Sequence, residues 1–574
     1  MEENEKKLTP WQRLIRLVSL EQKAIYAIIG YAVFAGLVAL SLPLGIQAII
    51  NFVQSGSFSA SLYLLIALVL LGVFFAGLLR YMEMRIAEDV QQRIFTRSSF
   101  DFIYRFPKIV YTAFGNRYPP ELANRFFDTM VVQKGLPKSL LVFAQGIIQV
   151  IFGVVVLSFY HPFFILFGLF LLILIYVVFQ FSAPVGLRTS LKESKYKYQV
   201  AQWIEEVARN TPTFKLSDRY SLASNKNDTL ATDYLNARED HFKVLRLQFF
   251  KMIGFKLLVV AALLIMGGLL VVNQQMNIGQ FVAAEVIVIL MVNSVEKLIL
   301  QLETVYDVLT ALEKIGEITD FDIEKDQGDV QLTDYEDIHL QLRDVSLLYP
   351  GSETYSLKDV NLDIGKKEHI YVEGESSSGK TTLLKILIGL ILPTGGNLFV
   401  NNHDVKHLNL STYRSLIGHS LLEELPFQGT IRENIKMNNP LISDSDISEV
   451  LEHLNLTEFV QNQPQGLSTV VGTEARHLPH TVAKKMMLAR AVVTQPKILV
   501  LKDPLVEFDE KEIKKIADYL FDEKQPWTIV VVSRNTKWKQ YCPRIVRLKD
   551  GQIDKITNHN AKYNKQQARY DQEV

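Results

Sequence analysis

Three stretches without a single Asp, Glu, Lys or Arg shape the first half of the chain: Ala24–Leu79, Ser139–Leu187 and Leu257–Ala284. A helix of roughly 20 apolar residues crosses a bilayer. Polar breaks divide these stretches and their edges into six predicted spans, Ala24–Ile50, Ala60–Leu79, Ser139–Phe159, Phe163–Ser182, Met252–Val272 and Gly279–Leu300. The breaks "NFVQSGSFSAS", "YHP" and "NQQMNIG" carry no Lys or Arg. The opposite connectors, Arg80–Lys138 and Ala183–Lys251, hold Arg85, Arg93, Arg97 and Arg105, then Arg188, Lys192, Lys195 and Lys197. By the positive-inside rule the long connectors and both termini are expected in the cytoplasm.

Within the connectors, "AEDVQQRIFTRSSFDFIYRF" and "YQVAQWIEEVARN" mix charge with apolar residues at helical spacing. They are expected to continue the spans into the cytosol; separate amphipathic helices on the membrane surface are the other reading. Ahead of the first span, "TPWQRLIRLVSL" sets Trp11, Leu14, Ile15 and Val18 on one face, which predicts an interfacial helix rather than a solvated leader. Glu285 near the start of the sixth span is a functional candidate by default, with a solvated or pore-facing structural role as the alternative. Lys256, at the start of the fifth, is expected to snorkel to the inner interface.

From about Asp337 the pattern becomes that of a soluble domain. "LQLRDVSLLYPGSETYSLKDVNLDI" alternates as antiparallel strands do. In "HIYVEGESSSGKTTLLKILIGL" a short apolar strand leads through Gly374, Glu375, Ser376, Ser377, Ser378, Gly379, Lys380, Thr381 and Thr382 into an apolar helix. This is a phosphate loop in its proper setting. The glycines let backbone N–H groups wrap phosphates, and the helix N-terminus adds its dipole. Lys380 reaches the outer phosphates and the Thr381 hydroxyl is placed to ligate magnesium. ATP is the expected ligand.

Composition narrows the classes further. Lys+Arg and Asp+Glu both number 61, so the total charge shows no nucleic-acid footprint. Cys542 is the sole cysteine, which excludes a disulfide framework and fits a reducing cytosol for the second half. The first apolar run follows a charged leader and has no small-residue cleavage pattern, so it is read as a retained span. The expected organisation is a leader over 1–23, a six-span helical membrane domain with long cytoplasmic helix extensions over 24–320, and a linker over 321–336. An α/β phosphate-loop nucleotide-binding domain with an antiparallel β subdomain follows over 337–555, and a polar, disordered tail over 556–574.

Six spans, long cytoplasmic helices and this nucleotide-binding half together resemble the exporter-type half-transporters of the ATP-binding-cassette family, over nearly the whole chain to about Gly551. The resemblance implies that Tyr349 of "LLYPG" stacks on adenine. "PTGGNLFVNNHDV", "YRSLIG" and "FQGTIRENI" follow the family in order and spacing, while "PELANRFFD" (Pro120–Asp128) and "EEVARNTPTFK" (Glu205–Lys215) look like segments flanking its coupling helices. Within the family the peptidase-less type I secretion or peptide-export group looks nearest, which would imply an adaptor of the membrane-fusion type in a Gram-negative envelope.

The catalytic stations depart from the family pattern. The family ends an apolar strand in Asp-Glu-Pro; "ILVLKDP" keeps Pro504, which sets Lys502 in place of the magnesium-ordering Asp and Asp503 in place of the water-polarising Glu. Sliding the frame by one would turn Asp503 to the other strand face. Leu422 replaces the glutamine that senses magnesium and water, and Ser533 the histidine after the next strand. Where the family carries Leu-Ser-Gly-Gly-Gln, this chain has Leu478, Pro479, His480, Thr481 and Val482; Asp509 keeps the family's later Asp. Proline has no N–H to offer a γ-phosphate, and His480 adds bulk where backbone must come close.

Losing one electrostatic or proton-handling group commonly costs about 10²- to 10⁴-fold in rate. Binding is therefore expected to survive and hydrolysis to be weak, in a homodimer or in a heterodimer with a second half-transporter. Lys502 either stands in for part of magnesium's charge or is a surface lysine without a ligand role. Two functions fit: an exporter of the cytoplasmic (inner) membrane, or a nucleotide-binding pseudo-ATPase scaffold of an envelope complex.

Overall fold

The computed structural model of the chain describes residues 8–54, 60–115, 117–324, 338–421, 424–473, 477–505 and 508–558, apart from the side chains of residues 171, 174, 175 and 177–183. The chain divides into two compact units, one drawn from Met1–Lys108 and Arg117–Phe321, the other from Ile109–Asn116 and Asp322–Val574.

Long helices build the first unit: Ala60–Arg105 (46 residues), Asp128–Ser158 (31), Phe163–Arg209 (47), Leu222–Val272 (51) and Ile278–Thr319 (42). At 1.5 Å per residue the 46-residue helix is about 69 Å long, against a hydrocarbon core of about 30 Å. Its charged second half therefore continues the apolar first half without a break, as do the others on the connector side. Five segments are long and apolar enough to cross a membrane among the described residues. The expected fourth span, Phe163–Ser182, falls in the Phe163–Arg209 helix, where most of the undescribed side chains lie.

The first span is not one helix. Gln22–Ala39 and Ser41–Gln54 meet at Leu40, because Pro43 has no N–H to offer the Ala39 carbonyl and the ladder must restart. The last helix begins on a capping box, with Asn277 Oδ1 accepting the Gln280 N–H at 2.7 Å. Small residues let helices approach closely: a Cβ on Gly153 would lie 2.4 Å from Met291 Sδ. Two pairs of buried polar groups join helices, Gln301 Nε2 donating to Ser139 Oγ at 2.9 Å and Ser190 Oγ lying 2.8 Å from Thr310 Oγ1.

The Pro10–Leu20 helix starts from a Thr9–Gln12 capping box. Its expected single apolar face is divided. Leu14 and Val18 pack on Val90, Ile94, Val308 and Ala311, while Trp11 and Ile15 stay exposed. Arg13 grips Asp320 through two hydrogen bonds of 2.9 and 2.5 Å. Lys256 pairs with Glu296 at 3.4 Å, and Glu285 is half-buried.

The second unit holds two main sheets. The antiparallel one runs Leu357–Ile364, Leu340–Leu347, Gly395–Val400, His403–Asp404. The other runs Gln552–Asn558, Arg544–Lys549, His369–Gly374, Thr528–Val532, Ile498–Lys502, Ile417–Ser420; only its first pair is antiparallel. Both faces of this larger sheet are covered, as its parallel strands require. Ile370, Val372, Val500, Val530 and Val532 meet Leu383, Leu384 and Leu387. Tyr371, Leu499, Leu501, Ile529 and Val531 meet Met486, Met487 and Ala489.

Candidate nucleotide site

The strand His369–Gly374 and the helix Lys380–Leu387 frame the loop. Gly374 and Gly379 hold φ of +154° and +96°, and a Cβ would lie 2.2 Å from the Leu548 carbonyl oxygen at the first and 2.5 Å from the Ser356 carbonyl oxygen at the second. Only glycine fits either place. Glu375, Ser376 and Ser377 are exposed and Ser378 is buried. Lys380 Nζ donates to the Gly374 carbonyl at 2.8 Å, to Ser378 Oγ at 3.1 Å and to the Glu375 carbonyl. The loop thus forms a cup with one ammonium inside it. Burial pushes that ammonium below its ordinary 10.5; Asp503 opposes the shift, and Lys502 and Arg534 add to it. Tyr349 Oη lies 3.5 Å from Thr382 Oγ1, so the aromatic expected at adenine borders the same cup. Thr381 is half-buried and Thr382 buried.

The sheet register decides where Lys502 points. Lys502 is level with Val532, and Val532 with Val372, across three parallel strands. Residues level in a parallel sheet share a face, and the Val372–Val532 face is the one packed by the phosphate-loop helix. Lys502 therefore leaves the strand end on the side of the loop. Asp503 steps out of the ladder at φ +44°, its N–H donating to the Val532 carbonyl and its Oδ1 accepting the Arg534 N–H, both at 2.7 Å. It is 6 % exposed.

A sequence model described as the ABC transporter transmembrane region matches residues 25–295, and one described as ABC transporter matches residues 357–506. The chain belongs to the ABC transporter family. Its two modules are fused in one polypeptide, as in a half-transporter. The proteins provisionally named multidrug export ATP-binding/permease protein of Staphylococcus aureus strains NCTC 8325 and Mu50 are each 27 % identical over 252 residues. That stretch spans 43 % of this chain and 43 % of each relative, so the match extends over less than half of either protein. A solved structure of a bacterial Atm1-family ABC exporter with ATP bound shares the fold, at a TM-score of 0.82 and 16 % identity over 96 % of this chain and 97 % of that one.

Set in the transporter fold, the departing stations are locally well built. Ser533 Oγ accepts the Asn535 N–H at 3.1 Å, and the Ser533 carbonyl accepts the Tyr371 hydroxyl at 2.5 Å. Burial first, then Glu373, Asp503 and Cys542, push that phenol up to about 12, which keeps it a donor. Pro479 precedes the His480–Val492 helix and offers no side-chain cap. Pro479 and His480 are exposed, Thr481 half-buried. Leu422 lies outside the described residues. The segment after it is firmly held: Thr430 and Glu433 form a capping box, and Arg490 donates to the Asn434 carbonyl at 2.7 Å and to Asn434 Oδ1 at 2.9 Å.

Magnesium, which the family ordinarily uses, does not fit this set of residues. In the sequence alignment that the resemblance implies, Lys502 stands for the ordering carboxylate and Leu422 for the glutamine, which leaves the Thr381 hydroxyl as the family-type oxygen. Asp503 is engaged with the Arg534 amide. Among the described residues no group of three His, Cys, Asp or Glu side chains is placed to hold a metal ion.

One structural element escaped the sequence. Residues 109–116 belong to the second unit although the chain on both sides belongs to the first. Ile109 bridges Ile323, the Val110 N–H donates to the Asp322 carbonyl at 2.9 Å, and Lys385 Nζ donates to the hydroxyl of Tyr111 at 3.2 Å. A single short turn, Tyr111–Phe114, carries no periodicity that could announce it.

Proposed function

We propose that the protein is an exporter-type half-transporter that grips a nucleoside triphosphate at Gly374–Thr382 and turns it over slowly. The observation that carries this reading is the intact phosphate cup around Lys380 beside a strand end that presents Lys502. In a homodimer each nucleotide would be closed by the other copy's His480–Val492 helix, and in a heterodimer this helix would close the partner's site. Pro479 lacks an N–H and His480 has a side chain where close approach is needed, so closure is loose. The losses at Lys502, Ser533, Leu422 and Pro479–Thr481 fall on one rate and are not additive. Asp503, at the position of the general base, serves first to anchor the Arg534 amide.

The unbroken helices of 42–51 residues and the 109–116 segment support a coupled machine, in which closure of the nucleotide halves moves six spans of the inner membrane, the nucleotide-binding half lying in the cytoplasm. For the cargo we adopt the multidrug class in the relatives' name, in place of peptide secretion through an adaptor. The second reading, a scaffold that binds nucleotide without turnover, is favoured by Asp503 being tied to backbone. Equilibrium binding of labelled ATP to the full chain in lipid nanodiscs tests the grip: wild type should saturate at micromolar concentrations and Lys380→Ala should not. Wild type binding no better than Lys380→Ala would end this reading.

A further inference from the structure

We propose that this site takes nucleoside triphosphate free of a divalent cation, with the Lys502 ammonium in the place of the metal. The inference rests on the nucleotide-binding reading above and goes beyond it. Lys502, Val532 and Val372 lie level on the face that carries the phosphate-loop helix. A side chain leaving that strand end on that face is directed to the side of the loop.

Charge accounting points the same way. A triphosphate without metal carries about four negative charges at neutral pH, and its outer oxygens need cationic donors that the family draws from a hydrated metal. Here Lys380 stands in the loop cup, Lys502 leaves the strand end on the loop side, and the Asp503 carboxylate accepts the Arg534 amide. A divalent ion would bring two more positive charges beside these lysines, and among the described residues no group of three His, Cys, Asp or Glu side chains is placed to hold it. An ammonium, by contrast, donates hydrogen bonds directly to phosphate oxygens. The same exchange accounts for slow chemistry: a lysine can neutralise ground-state charge, but it does not order an attacking water as a metal shell does.

The test is equilibrium binding of labelled ATP to the full chain in nanodiscs, with excess magnesium or with excess EDTA. Wild type should bind within about threefold equally in both, since the charged donor is built in. Lys502→Met should lose about 10- to 100-fold in EDTA, the usual worth of a charge-assisted hydrogen bond. Lys502→Arg should keep metal-independent binding, and Lys502→Asp should acquire a magnesium requirement. Wild-type binding that falls tenfold or more in EDTA overturns the inference while leaving nucleotide binding intact. So does a Lys502→Met protein that binds as wild type in EDTA. Absence of binding in both buffers overturns this inference and the underlying reading together.

Discussion

Asp503 offers a perturbation whose outcome separates an anchor from a general base. Its Oδ1 accepts the Arg534 N–H at 2.7 Å, its own N–H reaches the Val532 carbonyl at 2.7 Å, and its φ is +44°. Asp503→Asn keeps the acceptor and a residue type that tolerates positive φ, so it should cost under about 1 kcal/mol. Asp503→Ala orphans the Arg534 amide, about 1–3 kcal/mol, and puts a Cβ-bearing residue without a local hydrogen bond into left-handed backbone, about 1–2 kcal/mol. A total near 3 kcal/mol lowers the midpoint by about 6–12 °C for a domain of this size. Trp527 and Trp538, both 1 % exposed in the second unit, report that unfolding by fluorescence in the intact chain in detergent. Residual ATPase is measured in parallel. The expected pattern is a small midpoint loss and retained slow turnover for Asn, and a large midpoint loss for Ala. If Asn erases turnover while both midpoints stay at the wild-type value, Asp503 is the base and the anchoring argument is wrong.

Gly379→Ala should cost about 1–3 kcal/mol and abolish ATP binding, because φ is +96° and the new Cβ meets the Ser356 carbonyl; unaltered binding would show that the loop yields. Cys542 is buried and burial pushes its thiol up, so the native chain should resist a maleimide that labels it fully in denaturant. Among the described residues His369 Nδ1 has no hydrogen-bond partner, its ring makes a T-shaped contact to Phe521 with centroids 5.1 Å apart, and burial, opposed by Glu368, holds its imidazole below the ordinary 6.5. The unfolded chain takes up a proton near pH 6.5 that the folded state refuses. Stability is therefore full above that pH and falls on acidification toward pH 5. His369→Leu should flatten the slope of midpoint against pH, and an unchanged slope would assign the acid sensitivity elsewhere.

How much of this was legible in the sequence depended on whether the signal was local. Charge-free runs such as Ala24–Leu79 announce spans because lipid excludes charge over any 20-residue window, and the phosphate loop announces itself because strand, glycines, lysine and helix are contiguous. Pro504 likewise placed Lys502 in its register, and the ladder with Val532 shows what that register means for direction. The pairings that were illegible join distant positions. Asp503 is held by an amide 31 positions onward, and Arg13 by an aspartate 307 positions away. The interfacial reading of the first helix put Leu14 and Val18 with Trp11 because periodicity ranks faces by hydropathy. It cannot know that Val90 and Val308 arrive from other helices to claim only part of that face. Tyr111–Phe114 is too short for any period, so its membership of the second unit is visible only in three dimensions.

The central claim, a firm nucleotide grip with slow chemistry, meets its most direct test when ATP occupancy and steady-state phosphate release are recorded on the same nanodisc preparation. The account predicts saturable occupancy that Lys380→Ala removes, with turnover below about 0.1 s⁻¹, some hundredfold under the median enzyme. Turnover of several per second, lost in Lys380→Ala, would contradict it.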